Sequence, residues 1–138
     1  MNVNKITIGT TGISAEIDFN NTANQEAAWQ LYVEISTRIS TLKLDYDADE
    51  KKALESLYKL FEETRRTLKE LGKKALEVAR LAILILNKIV RPFTTKWYNK
   101  ITEDNCQKFR EELEELRGNL INYKKQLAQI ADIEDFVD

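Results

Sequence analysis

Four consecutive stretches of the sequence carry apolar residues at alternating steps of three and four. The repeat is cleanest in the last stretch, at Cys106, Phe109, Leu113, Leu116, Leu120, Tyr123, Leu127 and Ile130. A spacing near 3.5 residues lets helices pack side by side at a shallow angle. The polar links between the stretches are short, so neighbouring helices are expected to run antiparallel. The spacing therefore predicts a mainly α fold, an antiparallel up-down-up-down four-helix bundle.

The predicted elements form one domain over residues 1–138, with helices over 24–42, 49–71, 73–98 and 102–131. Residues 5–19 break the helical period. Apolar and polar residues alternate there around Gly9 and Gly12, which predicts two strands joined by a tight turn, an N-terminal β-hairpin. Because a lone hairpin is barely stable in water, its apolar face is expected to rest on the helices.

Composition supports helices and removes several chemistries. The chain has four Gly and one Pro among 138 residues, too few for a turn-dense sandwich or barrel. It has no His, which excludes His-based nucleophile pairs and imidazole acid–base catalysis. The lone Cys106 forms no internal disulfide and, on a seam, is expected to be a buried, inert thiol. We therefore predict a non-enzyme without cofactor or metal.

An acidic link precedes the second helix. Asp45, Asp47 and Asp49 match the first three ligand positions of a calcium loop, but Glu50 and Ser56 stand where that loop needs Gly and a bidentate Glu. The interpretation is a solvated linker placed favourably before the positive end of a helix. The first twenty residues carry no apolar signal segment, so a cytoplasmic location without a transmembrane segment is expected.

The third predicted helix is more apolar than one seam requires. Its seam positions are Leu76, Ala79, Ile83, Leu86, Val90, Phe93 and Trp97. Leu81 and Ile85 point to the other side. Either the hairpin or the first helix covers them, or they form a surface for a partner or a second copy. Pro92 is expected to kink this helix, or to end it at Arg91.

The same helix is also basic. Residues 73–100 contain seven Lys or Arg and one acidic residue, whereas the chain as a whole carries a net charge of −2. One interpretation is pairing with the acidic fourth helix along their shared edge. The other is a basic stripe, with Arg80, Lys88 and Arg91 on one edge, that faces a partner such as nucleic acid.

Three strings in the sequence look familiar. They begin at Ala28-Trp29, at Ala53-Leu54 and at Leu86-Asn87, and the last contains Val90-Arg91-Pro92-Phe93-Thr94. Over roughly residues 26–120 the chain resembles a group of small, uncharacterised bacterial helical proteins with no assigned activity. The resemblance implies a bacterial cytoplasmic origin and brings no site residues with it.

The sequence therefore predicts a helical protein-interaction module that binds a protein partner, or itself as a homo-oligomer, through helix three and the hairpin. The expected partner-binding residues are Arg80, Leu81, Ile85, Lys88, Arg91 and Trp97. The alternative is a nucleic-acid-binding protein that uses the basic stripe. The fourth helix also has the heptads of an intermolecular coiled coil. Size and resemblance suggest an accessory role in bacterial stress or phage defence.

Overall fold

The structure is a computed structural model that describes residues 3–44 and 49–136, with the side chains of Ser40 and Thr41 left out. In chain order its elements are β1 (Val3–Thr7), β2 (Ser14–Asp18), α1 (Thr22–Leu42), α2 (Glu50–Leu71), a 3-10 turn (Gly72–Ala75), α3 (Leu76–Ile85), a π turn (Leu86–Val90), α4 (Arg91–Trp97) and α5 (Cys106–Ala131). Within the described ranges, no helix is both long and apolar enough to cross a membrane.

The predicted hairpin is confirmed. β1 and β2 pair antiparallel, with Ile6 opposite Ala15. Gly9 and Gly12 both have positive φ angles, 49° and 79°, which the tight connection requires and which glycine adopts without strain. The hairpin contributes four buried side chains to the common core, those of Ile6, Ile8, Ile13 and Ile17. The helices thus supply the support that an isolated hairpin lacks.

Helix α1 is the central element, and it packs along both α5 and α2. The predicted seam of this helix is buried at Ala28, Tyr32, Ile35, Ile39 and Leu42. On α5, every predicted seam position from Phe109 to Ile130 is buried, whereas Cys106 is half-buried at the helix start. The expectation of a buried Cys106 is therefore wrong, because the helix begins at that residue.

The predicted antiparallel four-helix bundle is wrong. Three long α-helices, α1, α2 and α5, and a two-stranded hairpin make up the fold. The segment expected to be a third helix over 73–98 is instead divided among a 3-10 turn, two short α-helices and a π turn. A physical reason is that the hairpin contributes isoleucines to the core, so that α3 packs on β2 as well as on α1.

The π turn explains why the predicted seam of this segment fails in its first half. Arg91 donates its backbone N–H to the carbonyl of Leu86, five residues back. Pro92 lacks an N–H and crowds the preceding turn of an α-helix, and a wider turn relieves both problems. The helical path therefore continues past Pro92 to Trp97. The wider turn adds one residue between successive inward positions.

The set of residues that face the core therefore shifts by one position at the π turn. The buried positions are Ala75, Val78, Leu81, Ala82, Ile85, Leu86, Val90, Phe93, Thr94 and Trp97. Ile85 and Val90, five residues apart, flank the wider turn, and Leu86 between them is also buried. A strict 3.5-residue count backwards from Trp97 lands on Ile83, which is 48 % exposed, whereas Leu81 is 0 % exposed. The prediction that Leu81 and Ile85 face a partner is wrong, because both lie in the protein's own core beneath the hairpin and α1.

Candidate functional site

A cleft between the first half of α2 and the chain after α4 is the candidate site. Its volume is about 360 Å³. Its lining residues are Lys51, Leu54, Glu55, Tyr58, Trp97, Tyr98, Asn99 and Ile101. Those from α2 recur at steps of three, one and three, which places them on one face of a helix. Asp49 fixes the start of that helix, since its carboxylate accepts the backbone N–H of Lys51 at 2.9 Å.

The opposite wall turns sharply where α4 ends. Tyr98 donates its backbone N–H to the carbonyl of Thr94 at 3.1 Å, and Asn99 has a left-handed φ of 53°. The side chain of Asn105 then holds the following turn, donating to the carbonyl of Lys100 at 2.8 Å and accepting from the N–H of Thr102 at 2.7 Å. These bonds orient the turn so that the Tyr98 side chain faces α2.

Trp97 forms the floor and is anchored from behind. Its indole N–H donates to Glu112 of α5 at 3.2 Å, and Lys96 pairs with the same carboxylate at 2.7 Å. The Lys96 hydrogen bond lowers the pKa of Glu112 below its ordinary value. Phe109 packs against the Trp97 ring edge-on, with ring centroids 5.3 Å apart. The floor is therefore rigid, and its polar atom is already satisfied.

Two tyrosines stand at the mouth of the cleft. The rings of Tyr58 and Tyr98 meet edge to face, with centroids 6.4 Å apart and planes at 85°. Both side chains are exposed. Partial burial and the neighbouring Tyr98 raise the pKa of the Tyr58 phenol above its ordinary value. A phenol is neutral at pH 7 even at the ordinary value of about 10, so this hydroxyl can donate a hydrogen bond. The pair offers π faces, two hydroxyls and an apolar floor.

The structure separates the residues that the sequence predicted as one partner surface. Arg80, Lys88 and Arg91 are exposed, whereas Leu81, Ile85 and Trp97 are buried. Of these six, Trp97 lines the cleft. Arg91 makes contacts outside the cleft. Its guanidinium lies 4.7 Å from the centroid of the Phe61 ring, and its Nε donates to Asn87 at 3.3 Å.

Sequence reasoning missed Tyr58, Tyr98 and Asn99. In the second predicted helix the repeat of apolar residues runs through Leu54, Leu57 and Phe61. Tyr58 falls outside this repeat, so the periodicity places it on a solvated face. Tyr98 was assigned to the end of a long helix, and Asn99 to the link that follows it. A usable signal was the run of two aromatic residues followed by Asn, because Asn tolerates the left-handed conformation that ends helices.

Metal binding and Cys106 chemistry have less structural support than the cleft. No group of three acidic or Cys side chains suited to a metal ion occurs among the residues that the structure describes. Asp45 and Asp47, from the partial calcium-loop pattern, lie outside those residues. The Cys106 thiol donates to the carbonyl of Glu103 at 3.3 Å.

No family model, curated protein or solved structure matches this chain. The functional argument therefore depends on the residues of the chain itself. The bacterial origin that the sequence resemblance implies stays a prediction.

Proposed function

We propose that this chain is a non-enzymatic helical module that binds another protein by accepting one large apolar or aromatic side chain in the cleft between α2 and residues 97–101. The observation that carries this proposal is the exposed edge-to-face pair of Tyr58 and Tyr98 over an apolar floor. The proposal keeps the interaction module expected from the sequence and moves its surface away from Leu81 and Ile85.

The chemistry of the cleft favours a protein partner. Tyr and Trp are enriched at the centres of protein interfaces, where they combine large contact area with a hydrogen-bonding group. Tyr58 and Tyr98 keep much of their ring surface in water, so a partner side chain would remove apolar area from solvent on both rings. Lys51 and Glu55 supply a polar rim of both signs.

The size of the cleft supports one anchoring side chain. About 360 Å³ is near the lower end of the range for small-molecule pockets. A peptide that inserts one ring and lays its backbone across the tyrosine hydroxyls satisfies both the floor and the rim. The rigid Trp97 floor also lowers the ordering cost of binding, because little rearrangement is needed.

Selection from a random peptide library displayed on phage tests the proposal. We expect selected peptides to share an aromatic or large aliphatic residue and to bind the purified protein saturably by fluorescence anisotropy. Replacing Tyr98 by Ala, or Tyr58 by Ala, should weaken binding at least tenfold, since each ring contributes to the walls that hold the anchor.

Ile83→Ala is the matched control, because Ile83 is an exposed apolar side chain on α3 and is absent from the cleft lining. Its peptide affinity should equal that of the wild type. Peptides that bind equally well to the Tyr58→Ala and Tyr98→Ala variants would contradict the proposal.

Nucleic-acid binding is the second candidate. Arg80 and Lys88 are exposed, and neither takes part in an ion pair among residues 3–44 and 49–136. Unpaired cations are the groups that displace counterions from phosphates. This candidate predicts salt-sensitive retention on heparin that the combined Arg80→Gln and Lys88→Gln changes weaken. An absence of retention at low salt would exclude it.

A further inference from the structure

The segment that follows α5 folds back onto the helices. We call residues 132–136 the strap. Asp132 adopts a left-handed conformation with φ of 60°, and the N–H of Ile133 donates to the carbonyl of Ala128 at 3.0 Å. This cap reverses the chain direction and carries the strap across α5 towards α1.

Two side chains on different helices bind the strap. The Tyr32 hydroxyl of α1 donates to Asp135 Oδ1 at 2.8 Å and accepts the backbone N–H of Phe136 at 2.6 Å. The Lys124 ammonium of α5 lies 3.0 Å from the same carboxylate oxygen and donates to the carbonyl of Phe136. The side chain of one residue and both main-chain groups of the next are thus recognised.

The aromatic ring of the strap is also recognised. Phe136 meets Tyr32 edge to face, with centroids 5.7 Å apart. On its other side Tyr32 stacks on Trp29 at 6.3 Å. Phe136 and Trp29 are both exposed, while Tyr32 between them is buried. A ring at the position of Phe136 therefore binds on a surface that α1 provides.

The Tyr32 hydroxyl and the Lys124 ammonium provide groups that bind an anion. The Lys124 side chain is 7 % exposed and that of Asp135 is 20 % exposed, and the Lys124 ammonium lies 5.7 Å from the centroid of the Tyr32 ring. With the strap in place, this ammonium is largely shielded from water and needs its counter-charge. Tyr32 and Lys124 together thus provide the groups that bind a carboxylate, the adjacent peptide group and an aromatic ring.

We propose that Tyr32 and Lys124 form a peptide-recognition site for a partner segment with an acidic residue followed by an aromatic residue, and that the strap occupies this site in cis. The Tyr32–Lys124 site is separate from the cleft of the proposed function. Loss of either site leaves the argument for the other intact.

The geometry favours a separate peptide over exchange of straps between two copies. Asp135 lies three residues after Asp132, and an extended chain of that length reaches roughly 10 Å. For exchange, the end of α5 in one copy would have to lie within that reach of the site in the other, at the place where its own α5 already ends. A peptide from a partner has no such constraint.

The strap also sets how tightly a partner peptide can bind. A segment tethered by a short link acts at an effective concentration in the millimolar range. A peptide in trans must compete with it, so the wild-type chain binds more weakly than the empty site by the fraction of time that the strap is released. Weakening the strap should therefore strengthen binding in trans.

The test uses the full chain with Asp135→Ala and Phe136→Ala together, and a fluorescein-labelled, acetylated peptide amide that copies residues 131–136. Anisotropy should show the peptide binding this double variant at least tenfold more tightly than the wild type. The same peptide carrying Asp135→Asn, or carrying Phe136→Ala, should bind at least tenfold more weakly than the unaltered peptide.

Protein controls assign the binding to the site. Adding Lys124→Met to the double variant should abolish peptide binding, whereas adding Lys125→Met at the exposed neighbouring position should leave it unchanged. Size-exclusion chromatography should give the same elution volume for the wild type and the double variant. A wild-type dimer that the double variant loses would show strap exchange and overturn the preference for a separate peptide.

A second measurement, on the wild type, tests the proposal even if the double variant folds poorly. In the wild type, excess unlabelled peptide should displace the strap and shift the Phe136 amide signal in a two-dimensional NMR spectrum, while the peptide with Asp135→Asn should not. If the folded double variant binds neither peptide, or if the wild-type Phe136 signal does not move at millimolar peptide, the strap is a structural element and the proposal is wrong.

Discussion

The cleft and the strap site place tyrosines in opposite surroundings. Tyr98 projects from a turn into an open cleft and keeps much of its surface in water, whereas Tyr32 is buried and both donates and accepts hydrogen bonds. The difference follows from charge. The strap pairs Lys124 with a carboxylate and shields it from water, while exposed phenols bond to water at little cost. Stability should therefore depend on the strap site and hardly on the cleft.

The largest expected effect tests whether α3 provides a third binding surface, in addition to the cleft and the strap site. Leu81→Asp places a carboxylate in the core beneath the hairpin, and we expect it to lower the free energy of unfolding by at least about 4 kcal/mol. Ile83→Asp, two residues along the same helix but exposed, should change it by less than about 1 kcal/mol. Urea unfolding followed by circular dichroism measures both. A stable Leu81→Asp variant would restore α3 as a docking face.

The next largest effect tests whether the contacts of the strap stabilise the folded protein. Lys124→Met keeps the buried stem but leaves the Asp135 carboxylate without its cation, and should lower the free energy of unfolding by roughly 2 kcal/mol. This is below the usual cost of breaking a buried pair, because Asp135 keeps some contact with water. Lys125→Met is the control in the same urea titration. Equal midpoints for the two variants would mean that the strap adds no stability.

A pH dependence tests the burial of a tyrosine in the core. Burial raises the pKa of the Tyr123 phenol far above its ordinary value. Its neutral form is therefore favoured in the folded state, so its contribution to stability is complete below the unfolded pKa of about 10 and is lost above it. The loss should approach about 1.4 kcal/mol per pH unit.

Tyr123→Phe isolates that contribution. Between pH 9 and pH 11, the wild type should lose more stability than this variant, as measured by urea unfolding at each pH. Parallel curves for the two proteins would contradict a buried, neutral Tyr123.

The smallest effect on stability belongs to the cleft itself. The combined Tyr58→Ala and Tyr98→Ala changes should alter the free energy of unfolding by less than about 1 kcal/mol, because both side chains are exposed. The same variant should lose peptide binding. A destabilisation above about 2 kcal/mol would show that the tyrosine pair supports the fold, and would weaken its assignment as a docking site.

The sequence predicts those parts of the fold whose patterns are local and regular. The hairpin follows from alternation around Gly9 and Gly12, and the inward faces of α1 and α5 follow from their repeats. The third helix was misassigned because the 3.5-residue count assumes an unbroken α-helix, and Pro92 replaces one turn with a wider one. Counting from Trp97 through that turn shifts the predicted inward face of α3 by one residue, or about 100°.

The candidate sites were harder to predict because each joins residues far apart in sequence. Trp97 alone among the predicted site residues lines the cleft, and nothing in the period of α2 marks Tyr58. Lys124 follows the seam residue Tyr123, so periodicity assigns it to solvent. Its burial depends on the strap folding back across the helix, which needs the left-handed Asp132.

The π turn also fixes the rotational phase between two halves of one helix. Deleting one residue within Leu86–Val90 would convert it to an ordinary turn and rotate α3 by about 100° relative to α4. Leu81 would then leave the hairpin while Trp97 kept its place beside α2. The length of this stretch, more than the identity of its side chains, therefore decides whether the ribbon and the cleft can both be assembled on the same helix.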